Sequence, residues 1–393
     1  MDKKKRNFIY AAIVIFIITF TMRATNNMVV TTVPLFVKLD LGFSYFTVGA
    51  ISAFIYLLSF ISTVYVNPRL KHRTRRVLFI AANAAIMLVL LLYSYSGAVT
   101  VWLASLLAGL AFGLIIPNLM TSASLRKDQV EREKMIGLFT IGLSLSLILG
   151  PGLEDILLNY FDYRFVFLLF LPIAAVGLIM STLVKFPTAK NEDHVDVTKN
   201  AGLRAAILTV TTYNIPFAAI TIFLAIYAIS RFHVSGVLAY SLYIPFFTVS
   251  LLTRVYMTAR PSKNIKMLLA ASIAITLLAL LSTPLLPNFY AFLLIMALLG
   301  IPHGSIFPLA TIMISRGTTV RKRNAANSYF IAFNNILFMV VPFTFGYLLK
   351  YIGFTYAFMV LALPVAASAF LLFWLYGNDE RFFPRRSAVV SKA

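Results

Sequence analysis

Long apolar runs, each closed by a short polar stretch, set the pattern of this chain. Read by hydropathy they fall at 7–37, 43–66, 77–95, 101–123, 135–158 and 164–184, then at 204–229, 236–257, 266–285, 289–314, 327–349 and 354–376. A run of about 20 residues crosses a hydrocarbon core as an α-helix, and the helix pairs its own backbone groups where no water reaches. The pattern therefore predicts an all-α membrane protein of twelve transmembrane helices. The first run, behind Lys3, Lys4, Lys5 and Arg6, has the start of a signal peptide, but its apolar character resumes beyond Arg23 as far as Val37. It reads as a first helix and not as a cleaved leader.

Composition agrees. Apolar residues make up 60% of the 393 and charged residues 12%, against about 45–50% and 25% in soluble domains. The formal charge of +21 would suggest nucleic acid in a soluble chain, yet the basic residues sit in alternate loops: Lys3–Arg6, Arg69–Arg76, Arg126–Lys134, Arg260–Lys266, Arg316–Arg323 and Arg381–Lys392. By the positive-inside rule this predicts a multi-pass protein of the cell membrane with both termini cytoplasmic. Membrane lipid is then the expected partner, and nucleic acid is not. With no cysteine, disulfides and thiol chemistry are excluded.

The two sets of six runs repeat. Gly109, Gly113 and Pro117 match Gly300, Gly304 and Pro308 at a constant offset of 191, and Pro151 with Pro342, Phe167 with Phe358, Phe36 with Tyr227 and Ser44 with Ser235 keep it. Seven pairs in one register predict two pseudo-twofold-related six-helix bundles, at 1–184 and 204–393, joined by a cytoplasmic linker at 185–203.

Particular residues then point to a family. The fifth run reads Gly137, eight residues, Ser146, three residues, Gly150-Pro151, and is similar to the glycine-rich helix-five motif of antiporters in the major facilitator superfamily. Tyr163-Arg164-Phe165-Val166-Phe167 followed by Pro172 resembles the start of helix six in the drug/proton antiporter branch. The basic segment Asn67–Arg76 resembles the family's gating loop, with Asn67 and Lys71 where its Gly and Asp would stand. The resemblance implies a monomeric secondary transporter that works by alternating access. It also implies that helices one, four, seven and ten line the substrate cavity, which would place Asn118, Tyr213, Asn214 and His303 there.

Polar groups inside the spans are the candidates for mechanism. Arg23 lies mid-span, where a charge costs about 2.5 kcal/mol or more unless it faces a cavity or partner. Asn26 and Asn27, three and four residues on, share its helix face. Glu154 and Asp155, about one turn from the external end of the fifth span, are the carboxylates placed to exchange protons, and Glu154 is the better placed. His303, in Gly300-Ile301-Pro302-His303-Gly304, can relay protons or bind substrate. Arg254, near the cytoplasmic end of the eighth span, is expected to snorkel, and Arg164 to anchor at the outer interface.

The chain has no G-x-x-x-x-G-K loop, no cluster of metal ligands and no nucleophile beside a base. Neither an ATP-driven pump nor an enzyme is expected, and no cofactor or metal is implied. Two functions follow. One is proton-coupled efflux of small amphipathic or drug-like molecules; the other is transport of small organic anions held by Arg23. A transport-dead sensor is the lesser alternative.

Overall fold

The computed structural model describes residues 3–43, 45–158, 160–187, 197–234, 238–239, 241–260 and 264–383. Of the expected linker, residues 188–196 fall outside that set, as do Ser44 and Ser235. Every expected span carries helix. The first six are α1 (Lys3–Leu39), α2 (Tyr45–Ile61), α3 (His72–Ser94), α4 (Thr100–Ala123), α5 (Gln129–Leu158) and α6 (Tyr163–Ser181, with a break at Phe170). The second six are α7 (Ala201–Phe232), α8 (Tyr243–Ala259), α9 (Ile265–Ser282), α10 (Phe289–Gly317), α11 (320–352) and α12 (Tyr356–Tyr376). Among the described residues, ten of these helices are long and apolar enough to cross a membrane on their own composition. The other two are α8 and α11.

Helix starts are set by side chains that take up orphan N–H groups. Asp162 accepts from Phe165 N at 2.8 Å, Asn200 from Leu203 N at 3.1 Å, Asn264 from Met267 N at 3.0 Å and Asn288 from Ala291 N at 2.9 Å. α11 and α12 are parted at Gly353, whose φ of 66° lies in the left-handed region open to glycine.

The chain divides into two compact units. Unit 1 holds Met1–Val195 together with Val320–Ala332; unit 2 holds Asp196–Thr319 and Phe333–Ala393. In unit 1, α1 packs on α5, and α4 packs on both α2 and α3. In unit 2, α10 packs on α7 and α8, and α12 packs on α7.

The sequence repeat is a packing repeat. A Cβ on Gly109 would stand 2.5 Å from the Ile55 carbonyl oxygen, and one on Gly300 would stand 2.5 Å from that of Phe246, the residue at the same offset. Gly113 and Gly304 likewise lie against the carbonyls of Ser59 and Ser250. Only a hydrogen fits at these four crossings, so glycine lets two backbones meet. The ring edge of Phe36 meets Phe167 at 5.6 Å and 83°, and its mates Tyr227 and Phe358 meet at 5.2 Å and 74°. Such edge-to-face pairs are a favoured arrangement of aromatic quadrupoles.

Candidate functional site

In unit 1 Asn27 and Glu154 lie along the seam between α1 and α5. Arg23, Asn27 and Thr31 recur every four residues and so share one face of α1. Gly150 sits on Ala24, where a Cβ would come 2.9 Å from the Ala24 carbonyl oxygen, and this brings the two helices together. Across the seam Asn27 Nδ2 donates to Ser146 Oγ at 3.4 Å. One turn on, the hydroxyl of Thr31 meets Oε2 of Glu154, which is 4% exposed.

Thr31 Oγ1 also lies 2.9 Å from the Asn27 carbonyl and 3.0 Å from that of Met28. It has one proton for three acceptors. When Glu154 is ionised, Thr31 can donate to it; when Glu154 is protonated, it can donate to Thr31 while the hydroxyl turns to its own helix. The seam thus offers Glu154 a hydrogen-bond partner in both protonation states. Asp155 follows in the same helix, its side chain outside the described residues.

Arg23, half-buried, donates from Nη1 to Asn26 Oδ1 at 2.5 Å. The two residues stand one turn apart on α1, so the guanidinium is held along its own helix. Among the described residues no carboxylate forms an ion pair with it.

In unit 2 His303 is 7% exposed and boxed by aromatic rings. Ring centroids stand 4.2 Å away at Phe217, 5.0 Å at Phe246, 5.5 Å at Tyr213 and 5.8 Å at Phe247. Its Nε2 is buried and has no hydrogen-bond partner among the described residues. Pro302 and Pro308 each remove a helical N–H on α10, loosening the helix on both sides of it. Tyr213 points its hydroxyl to the Leu299 carbonyl at 3.5 Å, and Asn214 Nδ2 donates to Asn334 Oδ1 at 2.5 Å, joining α7 to α11.

Asn118 is fully buried and spends its amide on Asn67 Oδ1 at 2.6 Å and on the Leu114 carbonyl at 2.7 Å. It stands in a polar cluster apart from the α1–α5 seam.

Two arginines depart from expectation. Arg254, expected to snorkel, is 4% exposed and donates from Nη2 to the carbonyl oxygen of His303 at 3.0 Å. A helix carbonyl has a second lone pair to offer, so it can accept from a buried guanidinium without giving up its helical bond. Arg75, within the basic loop segment, is 1% exposed and caps the Leu70 carbonyl at 2.7 Å. Arg164 binds Asp40 at 2.8 Å and the carbonyls of Ser94 and Ser96 at 3.1 and 3.0 Å, and lies over the Phe36 ring. It ties the ends of α1 and α3 to the start of α6, beside an open cavity of about 490 Å³.

The sequence profile of the Major Facilitator Superfamily matches residues 15–281 and 263–391. No curated protein matches the chain. Among solved structures it is similar to the human organic anion transporter MFSD10 (TETRAN), with a TM-score of 0.77 and 12% identity over 95% of this chain and 100% of that one. It is also similar to FucP in the outward conformation, with a TM-score of 0.76 and 15% identity over 94% of this chain and 99% of that one. A variant of FucP, the E. coli fucose:proton symporter, aligns at a TM-score of 0.75 and 15% identity over 93% and 98%. Such identities speak for the fold, and the profile covers nearly the whole length: the chain is a multi-pass membrane transporter that belongs to the major facilitator superfamily.

Proposed function

We propose that this transporter is a proton-coupled exporter of small amphipathic or drug-like molecules, with Glu154 as the coupling carboxylate. The observation that carries the reading is the Thr31–Glu154 contact inside the α1–α5 seam. A buried acid that keeps a hydrogen-bond partner in both protonation states can load a proton at one membrane face and release it at the other. Export is supported by the resemblance of Gly137, Ser146 and Gly150-Pro151 to the antiporter motif, and by the seat of Gly150 on Ala24. His303 and its aromatic box offer an apolar contact with one polar tip, a pairing suited to amphipathic substrates. The protein works as a monomer in the cell membrane with both termini cytoplasmic, the side on which its basic loops gather.

A second reading has its own observation. Arg23 forms no ion pair with a carboxylate among the described residues, which leaves its charge for a small organic anion. The name of MFSD10 is in keeping with that reading, and that of FucP with proton coupling.

Both are tested in proteoliposomes under an imposed pH gradient, reading proton flux against cationic, neutral and anionic compounds. Flux triggered by cations or neutral amphiphiles supports export. Flux triggered only by anions, and lost in Arg23→Gln, moves the function to the second reading.

A further inference from the structure

The cavity of about 490 Å³ beside Arg164 has no part in the transport proposed above. Tyr95, Tyr160, Phe161 and Phe165 line it, together with Asp162 and Arg164. α3 begins beside the basic loop Arg69–Arg76 and ends at Ser94, a lining residue, so the cavity lies at the membrane face opposite that loop. That is the level at which lipid headgroups meet the ends of the helices.

Several polar groups of the cavity keep bonding capacity in reserve. Arg164 spends Nε on Asp40 and Nη1 on the carbonyls of Ser94 and Ser96, which hold the guanidinium in place. Its Nη2, with two N–H groups, donates to nothing among the described residues. Asp162 spends Oδ1 on the N–H of Phe165, and its other oxygen accepts from nothing among the described residues. Tyr95 and Tyr160 are 77% and 78% exposed, too open to serve as core. The rings of Phe161 and Phe165 stand 5.0 Å apart and form an apolar wall beside them.

Charge narrows the choice of ligand. The Arg164–Asp40 pair is neutral as a whole, and Asp162 adds a negative charge. A simple anion would meet Nη2 but be repelled by Asp162; a simple cation would leave Nη2 unmatched. A ligand with an anion and an ammonium a few atoms apart answers both, and aromatic rings favour the ammonium further.

We infer that this cavity binds a zwitterionic phospholipid from the leaflet opposite the basic loops. The phosphate takes Nη2 of Arg164, the ammonium lies between Asp162 and the rings of Tyr95 and Tyr160, and the upper acyl chain lies on Phe161 and Phe165. Because Arg164 is already held by α1 and α3, little freedom is lost when the phosphate arrives. A general basic anchor would behave differently, since it attracts anionic lipid.

The test is native mass spectrometry of the full-length protein in detergent, titrated with phosphatidylethanolamine or phosphatidylglycerol of identical acyl chains. The first bound copy of phosphatidylethanolamine should appear at about tenfold lower concentration. Asp162→Asn keeps a helix-capping side chain and removes the charge, and should erase that preference. Tyr95→Ala with Tyr160→Ala changes two exposed rings, and should weaken phosphatidylethanolamine about tenfold with the melting temperature unchanged. Equal binding of the two lipids by the unaltered protein, or a preference that neither variant moves, overturns the site. Displacement of the lipid by water-soluble glycerophosphoethanolamine at equal concentration would give the cavity to a free solute and overturn the lipid assignment.

Discussion

The two units share a skeleton and differ in their chemistry. At the offset of 191 glycine meets a backbone carbonyl at the same places in both, and the Phe36–Phe167 pair recurs as Tyr227–Phe358. At the same offset Glu154 of unit 1 becomes Phe345, packed 5.1 Å from Phe223, and Arg23 becomes Asn214. Phe112 becomes His303 in turn. Unit 1 thus carries a charged seam, and unit 2 an aromatic box with one imidazole. Contacts that set helix spacing tolerate no change in either unit, because a backbone crossing has no slack. Positions that handle substrate and proton need appear only once per molecule, so the two units are free to divide them.

The sharpest way to break this division is at its most unequal pair. Glu154→Gln keeps the shape and loses the titration, and should abolish proton-coupled flux in proteoliposomes. Phe345→Leu should leave coupling intact and cost stability by about 1 kcal/mol, read from thermal unfolding in detergent. Coupling that survives Glu154→Gln removes the assignment of the proton to unit 1.

The shared skeleton makes a prediction of the opposite kind. Gly113→Val and Gly304→Val should each cost about 1–3 kcal/mol, with similar losses of folded protein, since each drives a side chain onto a carbonyl at the same crossing. A large difference between the two would show that the units do not rely equally on the repeat.

The smallest effect lies in unit 2. A double-mutant cycle on Asn214→Leu and Asn334→Leu should give a coupling of about 0.6 kcal/mol, the usual worth of a hydrogen bond between membrane helices. A value near zero would leave the amide of Asn214 available to substrate.

Much of the skeleton was legible in the sequence. Twelve apolar runs became helices because lipid allows an apolar stretch few other forms. The break between α11 and α12 fell at Gly353, the residue best able to turn there. The site was less legible because its partners are far away in the chain or carry no sequence mark. Arg254 looked like a snorkelling residue, since nothing in a sequence marks the His303 carbonyl as an acceptor. With 35 Phe and 19 Tyr to choose from, composition could not select the four rings around His303. The bond from Asn67 to Ser328 spans 261 positions, and no local pattern in a sequence pairs residues so far apart.

The fixed spacing of the repeat also constrains how this protein can change length. One residue inserted within a helix turns everything after it by about 100°. Between Gly109 and Gly113 that would swing a side chain onto a carbonyl, and between Gly300 and Gly304 it would do the same in the other half. Neither half can absorb the shift by borrowing from the other. Relatives of this chain should therefore vary in size only in the segments between helices, and an aligned gap inside α4 or α10 would mark a protein that has found a different way to seat two backbones together.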